Sequence, residues 1–230
     1  MKLLFIPGSG AGKEVWIYQT GYFANSEGIA LPGHPDGEPC TSIDGYVEWL
    51  RGYIHQKGYK DVVLAGHSLG GAIAQLYGLK YGDELKALIL LGTGARLRVR
   101  PDIPESVKSM IGNESAWRKY LEDSHSSWPD SGVAKIELEA RMKIGPAVLL
   151  NDFLCCDRFD IMDKVQNIKL PTLVLCGTED IMTPVKYARY LADRVAGSTT
   201  VIIDGGTHMV FIEKPKEVNQ AIEKFLASLN

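Results

Sequence analysis

Residues 66–70 read Gly66-His67-Ser68-Leu69-Gly70, a Gly-x-Ser-x-Gly set between the apolar run Asp61-Val62-Val63-Leu64-Ala65 and a helical pattern opening on Gly71-Ala72. A serine at a strand-to-helix turn of this spacing suits nucleophilic attack. The turn is tight and strained, the glycines let strand and helix approach, and the hydroxyl is lifted clear of the sheet. The next amide, on Leu69, sits at a helix N-terminus and can face a developing oxyanion. A serine hydroxyl needs a base, and the base an orienting acid. Both follow in the chain. Leu173-Val174-Leu175-Cys176-Gly177-Thr178-Glu179-Asp180 ends a buried run in two acids, and Val201-Ile202-Ile203 leads into Asp204-Gly205-Gly206-Thr207-His208. The order is serine, acid, histidine, with Glu179, Asp180 and Asp204 as competing carboxylates. Alone, the pentapeptide also fits a packing turn, and a loop histidine can bond its own backbone. Their shared placement at strand ends favours the catalytic reading.

Groups so distant in sequence meet only if a sheet gathers them. Short apolar runs bounded by Gly, Pro or Asp recur at 2–6, 28–31, 61–65, 85–91, 172–176 and 199–203, and most are continuous rather than alternating, as strands buried on both faces are. Helical patterns lie at 43–55, 71–81, 184–195 and 215–229. Strand alternating with helix predicts an α/β fold with a mostly parallel, doubly wound sheet, whose carboxyl ends share one edge. Between 94 and 165 no strand is legible, only short helical patterns around Trp117, Trp128, Met142 and Phe153. The reading is a core of 1–93 and 166–230 with a helical lid, 94–165, over the site. A roof this rich in aromatic surface predicts esters of small to medium size rather than long-chain lipids, although any single one of these aromatics can equally serve the lid's own core.

With these motifs in place, the chain resembles the α/β-hydrolase family, lidded serine esterase and lactonase type, over nearly its whole length. Residues 3–16 are similar to the family's oxyanion segment, with Pro7-Gly8 where His-Gly usually stands, so the resemblance implies Ser9 and Leu69 as the oxyanion amides. Leu31-Pro32-Gly33-His34-Pro35 is similar to the family's Asp-x-Pro-Gly-x-Gly-x-Ser turn, with Ala30 replacing Asp and Pro35 the second Gly. The family spacing implies Asp180 as the acid beside Ser68 and His208. The alternative acid position, after the preceding strand, reads Gly92-Thr93-Gly94 and holds no carboxylate. Because the oxyanion strand begins at Lys2, the family's first antiparallel hairpin is expected to be missing, leaving a sheet of about six strands. What the resemblance implies is a cofactor-independent hydrolase of carboxylic esters or lactones working through an acyl-enzyme. The rivals are a carbon-carbon bond hydrolase or perhydrolase on the same triad, or a small-molecule receptor of this fold.

Composition narrows the remaining classes. With 230 residues, 45% hydrophobic and 23% charged, and a formal net charge of -3, the chain can bury enough apolar surface to fold, which excludes disorder. That charge argues against a nucleic-acid partner. The apolar runs fall far short of the roughly 20 residues that cross a bilayer, and the start reads as a strand rather than a signal peptide. A cytoplasmic monomer or homodimer is expected. Cys40, Cys155, Cys156 and Cys176 form no Cys-x-x-Cys pair, so neither a disulfide frame nor a metal site is expected. Gly8-Ser9-Gly10-Ala11-Gly12-Lys13 follows a strand but fails both nucleotide templates. A Walker loop needs Gly at Pro7 and Ser or Thr at Glu14, and a Rossmann turn needs Gly at Lys13. Arg96, Arg98 and Arg100 alternate, either as a solvated face or to meet a substrate carboxylate. Of the other histidines, His67 reads as the turn's variable residue, His34 as a loop residue near the site, and His55 and His125 as solvated.

Overall fold

The computed structural model describes residues 1–126 and 128–229. Six strands, β1 (Lys2–Ile6), β2 (Ser26–Gly28), β3 (Val62–His67), β4 (Leu85–Leu91), β5 (Thr172–Gly177) and β6 (Thr199–Ile203), form one sheet in the order β2-β1-β3-β4-β5-β6. Every neighbouring pair is parallel, as expected from the continuous apolar runs, and β1 pairs in parallel on both sides. Side chains alternate between two cores because the strand period is two. Leu4, Ile6, Leu64, Leu88 and Leu90 enter one core, while Leu3, Phe5, Val63, Ile89 and Leu91 enter the other.

Helices cover both faces: α1 (Ile17–Tyr22), α2 (Ile43–Lys57), α3 (Leu69–Tyr81), α4 (Asp102–Ser109), α5 (Glu114–His125), α6 (Ser131–Ile144), α7 (Pro146–Arg158), α8 (Val185–Arg194), α9 (Val210–Glu213) and α10 (Pro215–Ala227). Capping fixes several ends. Ser42 accepts the Gly45 amide ahead of α2, and Gly58 closes that helix in the left-handed conformation. Helices α4 to α7 lie between β4 and β5 and carry a small core of their own, Val107, Met110, Trp117, Leu121, Leu149 and Phe153. No described helix is long and apolar enough to cross a membrane.

Two expectations are corrected. The run at 28–31 is not the second strand; β2 ends at Gly28, and Ile29 and Leu31 bury their side chains from the loop beyond it. An apolar run there reports core contact, not ladder pairing. His125 is buried rather than solvated. Its ring packs on Trp128 at 4.3 Å between centroids, and its Nδ1–H is satisfied by the Leu121 carbonyl one turn back. Burial pushes its pKa down.

Candidate active site

Strand β3 ends at His67 and α3 begins at Leu69, so Ser68 alone makes the turn. Its backbone adopts φ 51° and ψ -114°, a region costing a non-glycine residue about 1–3 kcal/mol. The surroundings hold it there. The Ser68 amide donates to the Leu91 carbonyl at 3.0 Å, and its carbonyl accepts from Gly71 N–H and the Thr93 hydroxyl, both at 2.9 Å. The flanking glycines are required by close approach: a Cβ on Gly66 would lie 2.1 Å from the Gly70 carbonyl oxygen, and one on Gly70 would lie 2.3 Å from that of Ile6.

The loop after β5 carries Asp180, which is buried and accepts four hydrogen bonds. Oδ1 takes the amides of Met182 at 2.9 Å and Thr183 at 2.8 Å, while Oδ2 takes the Thr183 hydroxyl at 2.7 Å and His208 Nδ1–H at 2.9 Å. Burial pushes this carboxyl up, but the His208 bond and charge and the Thr183 donors outweigh it, holding Asp180 below the usual carboxylate range. His208, on the loop after β6, thus has its ring oriented from the Nδ1 side. The rival acids do not reach it. Glu179 is exposed, and Asp204 is exposed and accepts the Thr178 hydroxyl at 3.4 Å.

His67 proves to be more than a variable position. It is buried, its Nε2–H donates to the His208 carbonyl at 3.0 Å, and the two rings lie 4.5 Å apart. Burial, reinforced by His208, drives its pKa well down, so a neutral imidazole supports the His208 backbone. His34 does lie in a loop, fully buried. Its Nε2 contacts Asp152 Oδ2 at 2.9 Å.

Beside Ser68 runs the segment Gly8-Ser9-Gly10. A Cβ on Gly8 would stand 3.3 Å from Ser68 Cβ. Helices α6 and α7 grip this segment from both sides. Asp152 accepts the Gly10 amide at 2.8 Å, and Arg141 donates to the Gly10 carbonyl at 3.0 Å and the Ser9 carbonyl at 3.4 Å. Neither Asp152 nor Arg141 was singled out from sequence, because charged residues on helices read as solvated. The available signal was an acid inside a buried stripe: Asp152 lies among Leu149, Phe153 and Cys156 on α7, as Glu137 lies between Val133 and Ile144 on α6.

Two compartments meet at Ser68. The outer one, about 370 Å³, is lined by Ser9, Leu97, Arg98, Arg100, Phe153 and Tyr187 among others. The inner one, about 200 Å³, contains Ser68 and His208, with Trp128, Glu137 and Met209 in its wall. Among the described residues no hydrogen bond joins Ser68 Oγ to His208, a separation that substrate binding commonly closes. Of the alternating arginines, Arg98 and Arg100 line the outer compartment, but each already has a partner. Arg98 pairs with Asp160 at 3.5 Å, and Arg100 makes a fork to Asp102 at 3.1 and 2.8 Å. Trp117 belongs to the small helical core, its indole N–H reaching the Arg141 carbonyl at 3.3 Å. No cluster of three or more His, Cys, Asp or Glu with metal-binding geometry occurs among the described residues.

Comparison with known proteins agrees with this frame. The chain is 26% identical over 236 residues to (E)-2-((N-methylformamido)methylene)succinate hydrolase of Acinetobacter baylyi, covering 97% of this chain and 89% of that one. It is 30% identical over 215 residues to a protein named as an esterase/lipase from Mycoplasma pneumoniae, covering 86% and 77%. Among solved structures, a thermophilic esterase superposes with a TM-score of 0.79 at 33% identity over 100% of this chain and 90% of that one. The model of the alpha/beta hydrolase family matches residues 3–221. By that match over nearly its full length, this chain belongs to the alpha/beta hydrolase family.

Proposed function

We propose that the protein is a cofactor-independent serine hydrolase of small to medium carboxylic esters or lactones. The observation that carries this reading is the 2.9 Å Asp180–His208 contact beside a serine held at φ 51°, with the serine and histidine lining one cavity. Ser68 Oγ attacks the carbonyl carbon while His208 Nε2 takes its proton. The negative charge forming on the carbonyl oxygen is met by the amides of Ser9 and Leu69, the latter at the N-terminus of α3. His208 then protonates the leaving alkoxide, leaving an acyl-serine. Water, deprotonated by the same Nε2, attacks the acyl carbon, and the proton then passes from Nε2 to the departing Ser68 Oγ, freeing the acid and restoring the serine. Asp180 fixes the tautomer that leaves Nε2 free to accept, and stabilises the imidazolium when it forms. In a lactone the alkoxide stays tethered, and the product is a single hydroxy acid.

The esterase names among the relatives support the choice of ester chemistry. A fluorophosphonate probe tests it. One label per chain on Ser68 is expected, with labelling and hydrolysis of p-nitrophenyl esters both lost in a folded Ser68→Ala variant. Hydrolysis that survives this substitution refutes the assignment. A panel of esters, lactones and thioesters then ranks the substrate classes.

A further inference from the structure

Glu137, midway along α6, is 1% exposed, and neither carboxyl oxygen has a hydrogen-bond partner among the described residues. It lines the inner compartment with Ser68 and His208. A buried carboxyl without a partner costs stability, and the Val133 to Ile144 face of α6 would accommodate an apolar side chain at this position. Arg141, one turn further on, donates to the carbonyls of Ser9 and Gly10 rather than to Glu137. Burial, with the Glu14 carboxylate, pushes the Glu137 pKa up to about 8 against the opposing pull of Arg141 and the Gly12 amide. Burial thus favours the protonated, neutral carboxyl. Its oxygens are buried in the wall of a cavity lined also by Trp128, Arg141, Phe153, Met182 and Met209, where a turn of the side chain presents one donor and one acceptor.

We propose that Glu137 is a specificity-determining residue, whose carboxyl receives a small amide or hydroxyl group of the substrate in the half of the ester that enters the inner compartment. This rests on the ester-hydrolase reading and narrows its substrate class. An amide presents N–H and C=O together, the complement of a carboxylic acid's C=O and O–H. A volume of about 200 Å³ keeps the polar group close to the scissile carbonyl.

Matched substrate pairs test the role. For the acyl half, p-nitrophenyl N-acetyl-β-alaninate is compared with p-nitrophenyl hexanoate, of equal chain length. For the alcohol half, 2-hydroxyethyl butanoate is compared with propyl butanoate. The wild type is expected to favour the polar member of at least one pair by about tenfold or more in kcat/KM, because a site built to hydrogen-bond a group rejects the analogue lacking it. The pair that responds identifies which half enters. Glu137→Gln, which keeps a donor and an acceptor, retains most of the preference. Glu137→Leu brings the ratio close to one and raises Tm, since an unpaired polar group leaves the interior. Glu137→Met is the second apolar variant, so that one poorly folded protein does not decide the matter.

Ratios unchanged in a folded apolar variant, or loss of the fold in both, overturn the proposal and make Glu137 a structural residue. Fluorophosphonate labelling and Ser68→Ala accompany each assay. Absence of any Ser68-dependent turnover refutes the ester reading itself, whereas Ser68-dependent turnover with unaltered ratios refutes only the role of Glu137.

Discussion

Asp152 ties the helices over the site to the loop beside the nucleophile, and replacing it measures that tie. The carboxylate is completely buried and accepts from the Gly10 amide at 2.8 Å, His34 Nε2 at 2.9 Å and the Tyr46 hydroxyl at 2.8 Å. Asp152→Ala strands all three donors. Each buried donor left unpaired costs about 1–3 kcal/mol, so three cost about 3–9 kcal/mol. The lower part of that range is expected because water and side-chain rotation relieve some of the loss. We expect Asp152→Ala to lose about 3–5 kcal/mol of a stability of about 5–15 kcal/mol. Asp152→Asn should lose less than half of that, since its oxygen still serves Gly10 and His34 while its amide donates to a rotated Tyr46 hydroxyl. Activity follows from the same contact. Gly10 is the neighbour of Ser9, whose amide is a proposed oxyanion donor, and one such donor is worth about 10²–10³ in kcat. A loosened loop loses part of that, so kcat is expected to fall by up to about 10² with KM little changed. Urea unfolding with an unchanged slope gives the stability term, and kcat measured well below the variant's Tm gives the other. A variant destabilised as expected but with kcat within twofold of wild type would show that the loop holds its geometry without the helices. A loss below about 1 kcal/mol would refute the account of the buried donors.

Exchange of the acids separates their roles: Asp180→Asn is expected to lower kcat on the order of 10⁴, while exposed Glu179→Gln stays near wild type, and the reverse pattern would move the acid by one residue. Stability should fall as pH rises from about 4.5 to about 8, because Glu137 binds its proton more tightly folded than unfolded. The slope approaches about 1.4 kcal/mol per unit in that window. Thermal unfolding across this range in wild type and Glu137→Gln checks it, and equal slopes in the two proteins would contradict a neutral buried acid. Along an acyl series from about two to sixteen carbons, kcat/KM should peak at short or medium length because the compartments are small. A steady climb to the longest chain would instead indicate a lipase.

That Ser68, Asp180 and His208 stand at strand ends is legible because each follows an apolar run and is bracketed by glycine or by the start of a helix. Such punctuation is local and survives without knowledge of the fold. Strands β1, β4 and β6 were read to their final residues for the same reason. What sequence could not show depends on contacts made only after folding. Ile29 and Leu31 are as apolar as any strand residue, and only the end of the ladder with β1 shows that they are loop. Glu137, Arg141 and Asp152 belong to helices whose other charged residues face solvent. Their burial arises when α6 and α7 close over the Gly8-Ser9-Gly10 segment. His67 looked interchangeable because its partner, the backbone of His208, lies 141 positions away.

The strand order also sets the sequence in which the residues of the site come together as the chain is made. From β3 onward each strand docks at the growing edge of the sheet, so a chain emerging from its amino end can assemble β1, β2, β3 and β4 first. At that stage Ser68 and Leu69 can stand at their turn, while Arg141 and Asp152, which hold the Ser9 loop, and Asp180 and His208, beyond β5 and β6, have yet to be synthesised. The nascent chain thus carries the Ser68 hydroxyl before the Asp180–His208 pair exists, and that contact is the part of the site completed last.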